Sequence, residues 1–348
     1  MTATIPTRYG PLLVPDQGSD LIEAFLRRYG EWGWDEVGFL APLLPDGARV
    51  LDVGGYLGTF GLGLAARRRL GFLCAVEANP AITPLLAANL HRAPCPALAI
   101  EAMVAGPGAL PRPGAMPPGN ASGASFLPGG RGEAVPAPVR AATLAELHAL
   151  HGPFDLVKLD VEGMEADILH ADAEALSAGG TTLWVECNED PRSLEVGRLL
   201  LSWGLELHLF AFPAHNPDNL HGDRTPIFPW SFEAGLLAAP RAPPRLDWVL
   251  RRHHCILRRI RTLDDLTDAL WRIPRWGMAE WPTDDPAALA ALAGRTLRNE
   301  ARDTFLRSAA PLGSPGNEMI WQRLLAAEAR AEAAEAQLKA LGLPPPQT

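Results

Sequence analysis

Short apolar runs alternate with amphipathic segments over the first two thirds of the chain. Seven apolar runs predict strands, at 49–53, 72–77, 97–104, 154–160, 181–187, 205–212 and 231–238. The segments 59–69 and 81–91 have helical character and lie between the first three of these runs. Because strands and helices alternate, the pattern predicts an α/β fold in which a mostly parallel sheet carries helices on both faces.

The segments on either side of this alternation have a different pattern. Asp20 and Glu23 have the spacing of a capping box, and we expect a helix from there to Tyr29. Thr143 and Glu146 have the same spacing and predict a helix to about Leu150. A second short helix is expected at 34–41 and should end before Pro42. We therefore predict that residues 1–45 form a helical segment packed on a domain at 46–240.

Beyond Pro240 the alternation stops, and residues 241–348 are expected to form a helical extension. The arginine-rich stretch 251–261 is interpreted as a solvated basic face or, alternatively, as a patch for an acidic partner. Residues 318–342 carry a short alanine-rich heptad pattern. This helix would either pack within the chain or form a weak homodimer.

Proline and glycine are abundant between residues 106 and 138, which is too long for an ordinary connection. One interpretation is a disordered insertion. The other is a flexible cover over a ligand cleft, with Asn120, Ser122 and Ser125 as its most plausible polar contacts.

Composition limits the function further. The chain has 348 residues, a formal net charge of −9 and an apolar fraction typical of a globular protein. The net charge argues against nucleic-acid binding as the main function. The sequence contains no run of eighteen apolar residues and no signal-peptide core, so we expect no transmembrane segment and a cytoplasmic location. The four cysteines are scattered, and a zinc site or a disulfide framework is not expected.

The first predicted strand leads into a glycine-rich turn. Asp52 precedes Gly54 and Gly58, and the next predicted strand ends at Glu77. Glycines allow a backbone to approach a ligand closely, and a carboxylate on the second strand can accept hydrogen bonds from ribose hydroxyls. The spacing is not that of a dinucleotide site, and Asp52 would repel a pyrophosphate but attract a sulfonium or ammonium group. The pattern therefore favours S-adenosylmethionine as the cofactor.

A second motif lies on the strand 154–160. Lys158 and Asp160 share one face of that strand, and Asp160 should reach the carboxyl end of the sheet, where ligands bind in open α/β folds. Glu162 and Gly163 would form the turn, and Glu165 would begin the next helix. The alternative is that Lys158 and Asp160 are a buried pair that only fixes the loop, which is the favoured interpretation for Lys158.

Residues 50–58, 76–80 and 157–165 together resemble the FkbM family of S-adenosylmethionine-dependent methyltransferases, as does the Trp-Val-Glu run at 184–186. The resemblance covers residues 31–240. It implies a class I methyltransferase (Rossmann-like) fold with a seven-stranded sheet and a reversed final strand. It also implies O-methylation of a hydroxyl on a sugar, a glycan or a glycosylated natural product. One departure is Tyr56, which stands where the family usually has asparagine.

The resemblance also implies roles for individual residues. The turn of Asp52, Gly54, Gly55 and Gly58 would hold the methionine part of the cofactor, and Glu77 would hold the ribose. The methyl-transfer cleft would be lined by Asp160 and Glu162.

Methyl transfer to a hydroxyl needs a group that takes the proton. Asp160 and Glu186, at the tips of adjacent predicted strands, are the candidate bases or orienting groups, and His215 and His221 are outside candidates. In a variant of the mechanism, Asp160, Glu186 and either Asn188 or Asp190 would bind Mg²⁺.

Two other functions stay open at this point. The chain would either methylate another acceptor, such as an amine or a lipid, or be a non-catalytic binding module that keeps the fold and uses its arginine-rich and heptad regions to hold partners.

Overall fold

The computed structural model describes residues 2–16, 20–107, 114–116, 133–134, 139–178, 180–187, 191–227 and 231–273, all within the first of two units into which the chain divides, residues 1–309. The strands are β1 (Thr2–Thr7), β2 (Gly10–Pro15), β3 (Ala48–Val53), β4 (Leu70–Glu77), β5 (Ala97–Glu101), β6 (Met103–Val104), β7 (Ala115–Met116), β8 (Glu133–Ala134), β9 (Ala141–Ala142), β10 (Leu156–Leu159), β11 (Thr182–Glu186), β12 (Leu207–Pro213), β13 (Phe232–Ala238) and β14 (Ile256–Ile260). The helices are α1 (Leu21–Tyr29), α2 (Trp34–Leu40), α3 (Thr59–Arg67), α4 (Thr83–Leu90), α5 (Leu144–His151), α6 (Glu165–Ala171), α7 (Ala173–Ser177), α8 (Pro191–Ser202), α9 (Trp248–Arg252) and α10 (Leu263–Arg272), with one 3-10 turn at Ala41–Leu43.

Eight strands form the main sheet, in the order β14-β12-β13-β11-β10-β3-β4-β5. The five strands from β11 to β5 are parallel, β13 is antiparallel to both of its neighbours, and β14 is antiparallel to β12. The predicted α/β fold with a mostly parallel sheet is confirmed; β13 is the reversed strand that the resemblance implies, and the edge strand β14 is reversed as well. With one extra strand, this is the arrangement of a class I methyltransferase fold.

The sheet is covered by helices on both faces, as predicted. On one face Val50 and Leu156 pack with side chains from α2, α3, α4 and the strands β1 and β2. On the other face Leu51 and Val157 pack with side chains from α5, α6, α8 and α10. Successive strand residues point to opposite faces, so Asp52 and Lys158 share the face that α2 and α3 cover.

Helix starts follow the capping signals in the sequence. The Asp20 carboxylate accepts a hydrogen bond from the N–H of Glu23 at 3.0 Å. At α5, Thr143 and Glu146 form the reciprocal bonds of a capping box, at 3.0 and 2.9 Å. These local predictions are confirmed. No helix in the described part of the chain combines the length and apolar character that crossing a bilayer requires.

The prediction that residues 1–45 are helical is wrong for residues 2–15. They form an antiparallel hairpin, β1–β2, that reverses at Arg8 and Tyr9. The Thr7 hydroxyl closes the turn by donating to the carbonyl of Gly10 at 2.6 Å. Asn89 on α4 then bonds both the N–H and the carbonyl of Leu13, at 2.7 and 3.0 Å. The hairpin is therefore fastened to the domain by contacts far apart in the sequence.

The prediction of a helical extension after residue 240 is wrong at 256–260, and the sheet has eight strands rather than seven. Residues 256–260 form β14, the edge strand, which pairs with β12. His253, just before β14, contacts Asp35 of α2 at 2.9 Å and Asp218 at 3.1 Å through its two ring nitrogens. Residue 240 is therefore not a boundary, because the chain continues in the same sheet.

The strands on either side of the proline- and glycine-rich segment, β6 before it and β9 after it, are paired in parallel. The two ends of the segment are therefore close together. Within it, β7 and β8 form a small antiparallel pair. Asn120, Ser122, Ser125 and the heptad stretch 318–342 lie outside the described residues.

Candidate functional site

The predicted site residues come from strands that end at the same edge of the sheet. Asp52 is the fifth residue of β3, Glu77 ends β4, Asp160 directly follows β10, and Glu186 ends β11. These four strands are parallel neighbours, so their carboxyl ends meet at one edge. The structure thus places all four carboxylates along this edge.

The glycine turn after β3 is held between β4 and the end of β10. The N–H groups of Gly54 and Gly55 both donate to the carbonyl of Val76, at 2.9 and 3.0 Å. Gly54 has a φ of +83°, and a Cβ added there would overlap the carbonyl oxygen of Asp160. Gly58, with a φ of +87°, caps the start of α3. Both positions therefore require glycine.

Tyr56 stands in the middle of this turn with a φ of +44°. The left-handed region is open to glycine and tolerated by asparagine, but it is strained for a bulky side chain. Tyrosine therefore adopts this backbone at a cost. The Tyr56 side chain is buried.

Glu77 organises the turn in a way that the sequence did not reveal. Its two carboxylate oxygens accept hydrogen bonds from the N–H groups of Tyr56, at 2.9 Å, and Asn79, at 2.7 Å. Burial raises its pKa to about 7, although these N–H groups act in the opposite direction. The backbone N–H of Ala78 also lowers this pKa. Two carboxylate oxygens offer about four acceptor positions, so the carboxylate can fix the turn and still accept a bond from a ligand hydroxyl.

Asp52 and Lys158 face each other across β3 and β10. They are partners in the register, and the Lys158 ammonium lies 3.9 Å from the Asp52 carboxylate. Asp52 is fully buried, and within the described structure neither of its oxygens accepts a hydrogen bond of normal geometry. Burial raises the pKa of Asp52 to about 6, and Lys158 opposes that shift. The backbone N–H of Gly61, in the first turn of α3, also lowers this pKa, so Asp52 is a buried acid held between Lys158 and the start of α3.

Lys158 also holds Asp160. Its ammonium donates to the Asp160 carboxylate at 2.7 Å and lies 5.0 Å from the centre of the Phe60 ring. Burial alone would lower the pKa of Lys158, but the carboxylates of Asp160, Asp52 and Glu36 raise it above its usual value. Lys158 is thus a permanent cation, and the pairing with Asp160 considered from the sequence is present.

The sequence analysis missed Glu36, in the first turn of α2. Its carboxylate accepts a 2.6 Å hydrogen bond from the indole N–H of Trp184, which is the register partner of Lys158. Burial raises the pKa of Glu36 to about 7, with Lys158 opposing. In the sequence, Glu36 is only an acidic residue in a short predicted helix before β3. Its place near Lys158 results from the tertiary fold, which a local pattern does not predict.

Further carboxyl groups gather where β10 and β11 end. Glu162 adopts a φ of +54°, and Glu165 accepts bonds from the N–H groups of Val161 and Gly163, at 3.0 and 3.2 Å. Burial and the neighbouring carboxylates raise the pKa of Glu162 to about 8 and that of Glu186 well above its usual value. Glu233, which the sequence analysis did not single out, adds its charge to this group from β13.

For the Mg²⁺ variant, no group of side chains suited to binding a metal ion occurs among the residues that the structure describes. Asn188 and Asp190, which the sequence offered as further ligands, lie outside them.

The loop between β12 and β13 lies at the same edge and is tied to α1. His215 contacts the carbonyl of Asp223, and His221 contacts the carbonyl of Arg28, both at 3.0 Å. The Tyr29 hydroxyl donates to the carbonyl of Thr225 at 2.9 Å. Both histidines, the outside candidates for a base, therefore make contacts that hold the loop.

These raised pKa values predict an unusual dependence of stability on pH. Glu36, Asp52, Glu77, Glu162 and Glu165 all bind protons more tightly in the folded state, with pKa values of about 6 to about 8. The stabilisation from proton uptake is complete near pH 4 and is lost as the pH rises through these values. We expect the free energy of unfolding to rise by at least about 2 kcal/mol between pH 8 and pH 6, because two groups with a pKa of about 7 already supply that amount. Urea denaturation at both values measures it, and an unchanged or lower stability at pH 6 would contradict it.

No family model and no curated protein matches the chain. Among solved structures, a precorrin-6y C5,15-methyltransferase from Geobacter metallireducens is 13% identical, with a TM-score of 0.34, over 59% of this chain and 87% of that one. The methyltransferase FkbM from Methylobacillus flagellatus is 14% identical, with a TM-score of 0.39, over 60% of this chain and 48% of that one. An O-methyltransferase from Bacillus cereus in complex with SAH is 15% identical, with a TM-score of 0.34, over 62% of this chain and 84% of that one. The chain thus spans about half of the FkbM structure. These likenesses concern the fold alone, and no function or residue role is taken from them.

Proposed function

We propose that the chain is an S-adenosylmethionine-dependent methyltransferase of the FkbM kind. The observation that carries this proposal is the buried Asp52 carboxylate, which shares the Lys158 ammonium with Asp160, beside a glycine turn fixed by Glu77. A cationic ligand at the carboxyl edge would compensate that charge. The motifs at 50–58, 76–80 and 157–165 support the assignment through their resemblance to the family.

The residues present fit the cofactor. S-adenosylmethionine supplies a methyl group activated by a positively charged sulfur. The Gly54–Gly58 turn would bring backbone close to the methionine part, with Gly55 inside it. Glu77 would use its remaining lone pairs to accept bonds from the ribose hydroxyls. Glu162 would line the cleft on the other side.

The acceptor is proposed to be a hydroxyl of a sugar, a glycan or a glycosylated natural product. Carboxyl groups at the ends of β10 and β11 can orient hydroxyls by hydrogen bonds. Asp160 is paired with Lys158 and would orient the acceptor, together with Glu186 at the end of the neighbouring strand. Holding the oxygen in line with the methyl group can supply much of the rate enhancement.

A non-catalytic binding module is the second candidate, and the strained Tyr56 is the observation that favours it. A residue with a φ of +44° in the middle of the turn changes the surface that a cofactor would meet. Such a module would keep the fold without binding S-adenosylmethionine.

Isothermal titration of the full chain with S-adenosylmethionine and with S-adenosylhomocysteine tests the proposal. We expect both to bind, and we expect Glu77→Gln to weaken binding at least tenfold, about 1.4 kcal/mol. The reason is that an amide carries no charge and offers one acceptor oxygen instead of two. Glu174→Gln is the matched control, because Glu174 is exposed on α7, which leads into the amino end of β11.

If neither ligand gives binding heat or raises the Tm of the chain, the proposed enzymatic function is contradicted and the binding module is favoured. Transfer of labelled methyl groups to glycans of a cell extract then identifies the acceptor. If methyl transfer continues in the presence of EDTA, the mechanism with a bound Mg²⁺ is excluded.

A further inference from the structure

The side chain of Asn89, on α4, joins the hairpin β1–β2 to the turn between β3 and α3. Its Oδ1 accepts a hydrogen bond from the N–H of Leu13 at 2.7 Å. Its Nδ2 donates to the carbonyl oxygens of Leu13, on β2, and of Leu57, in the turn, both at 3.0 Å. Both N–H bonds of the amide group are therefore used, one toward each element.

These contacts lie in the interior of the domain. Asn89 is 1% exposed and Leu57 is fully buried. A buried carbonyl that loses its donor has given up water without a replacement, and the cost is larger than the net value of the hydrogen bond. The hairpin and the turn are therefore held together by contacts that are costly to break.

Apolar packing connects α4 to the same turn. A Cβ added at Gly58 would lie 3.1 Å from Leu86 and 3.3 Å from Leu90, so α4 lies directly against the turn. Leu12 of β2 and Tyr56 of the turn belong to the same buried core as these two leucines. α4 therefore contacts both the hairpin and the turn, and a displacement of one affects the other.

The turn in its held conformation orients Glu77. The N–H of Tyr56, the residue before Leu57, donates to the Glu77 carboxylate at 2.9 Å. Tyr56 has a φ of +44°, and a bulky residue keeps such a backbone only where the surrounding structure enforces it. The bond from Asn89 to the next carbonyl in the chain is a contact of that kind. Asn89 thus acts on the carboxylate through the backbone of the turn.

We propose that Asn89 is a positioning residue for the methyl donor, through which the hairpin β1–β2 holds the cofactor turn in the conformation that binds. This inference rests on the proposed function. Glu77 meets the donor, and Asn89 acts only through Leu57 and Tyr56. Coupling between two sites is reciprocal, so donor binding also stabilises the hairpin.

Asn89→Leu tests the effect on affinity, because leucine has a similar size and makes none of the three hydrogen bonds. In isothermal titration of the full chain with S-adenosylmethionine, we expect the dissociation constant to rise at least about fivefold. Leu266→Ala is the control for lost stability. Leu266 is fully buried on α10 and packs on the opposite face of the sheet. We expect it to lower the Tm and to leave the dissociation constant unchanged.

Hydrogen exchange of the wild-type chain tests the reciprocal effect and decides the question even if Asn89→Leu does not fold. Exchange is followed by mass spectrometry in peptides that cover β2 and α10, with and without saturating S-adenosylmethionine. We expect the donor to slow exchange in β2 at least about fivefold more than in α10. In Asn89→Leu this difference should disappear.

The possible results separate this inference from the proposed function. An unchanged dissociation constant in Asn89→Leu, or equal slowing of exchange in β2 and α10, would overturn this inference alone, because the wild-type chain would still bind the donor. No binding of S-adenosylmethionine by the wild type would overturn the proposed function and this inference with it.

Discussion

Replacing Gly54 by alanine is expected to destabilise the domain by about 4 kcal/mol, which corresponds to about 10 °C in Tm. The φ of +83° alone costs an alanine about 1–2 kcal/mol. In addition, the new Cβ would overlap the carbonyl oxygen of Asp160, a backbone atom that cannot rotate away. The turn or the end of β10 must move, and both carry proposed ligand-binding groups.

Gly47→Ala is the matched control for this experiment. Gly47 has nearly the same φ, +77°, but an added Cβ would meet nothing within 4 Å. We expect that control to cost about 1 kcal/mol, since only backbone strain is introduced. Urea denaturation of both variants gives the comparison. Equal losses of stability would show that the contact between Gly54 and Asp160 does not constrain the turn.

Elements with local signals were predictable from the sequence. The strands from 49–53 to 231–238 were found because each is a short apolar run between glycine, proline or charged turns, and the structure moves their ends by a few residues at most. The helix starts at Asp20 and Thr143 were found because capping is a contact between residues three apart. The glycine requirement at Gly54 and Gly58 follows from the same kind of short-range geometry.

Elements fixed by distant contacts were not predictable. β14 carries Arg258 and Arg259, both exposed, and their neighbours made the stretch resemble a basic helix. It is a strand because β12 offers a free edge about fifty residues earlier in the chain. The hairpin β1–β2 likewise depends on Asn89.

The site shows the same division between local and distant information. Asp52, Glu77, Asp160 and Glu186 could be placed at one edge because each follows or ends an apolar run. The hydrogen bonds from the N–H of Tyr56 to Glu77, and from the indole N–H of Trp184 to Glu36, join residues 21 and 148 positions apart. Side-chain contacts of that kind leave no periodic pattern in a sequence.

Replacing Lys158 by methionine is expected to cost about 3–5 kcal/mol at pH 8. The ammonium lies 2.7 Å from Asp160 and 3.9 Å from Asp52, and the Asp52 side chain is fully buried. Without Lys158, the carboxylates of Asp52 and Glu36 would be charged in a site where no cation compensates them. Methionine keeps the length and apolar part of the side chain, so the loss comes from charge rather than volume.

The pH dependence of Lys158→Met separates this explanation from a packing defect. Glu36 and Asp52 take up protons as the pH falls through about 7 and about 6, respectively, and removal of Lys158 moves both pKa values higher still. Protonated acids no longer need the cation, so the difference from the wild type should shrink by more than half between pH 8 and pH 5.5. The double variant Lys158→Met with Asp52→Asn should recover part of the loss at pH 8, because it removes one of the uncompensated charges. A loss that is the same at both pH values and is not relieved by Asp52→Asn would mean that Lys158 acts through packing, and that the carboxyl groups of this site are not electrostatically coupled to it.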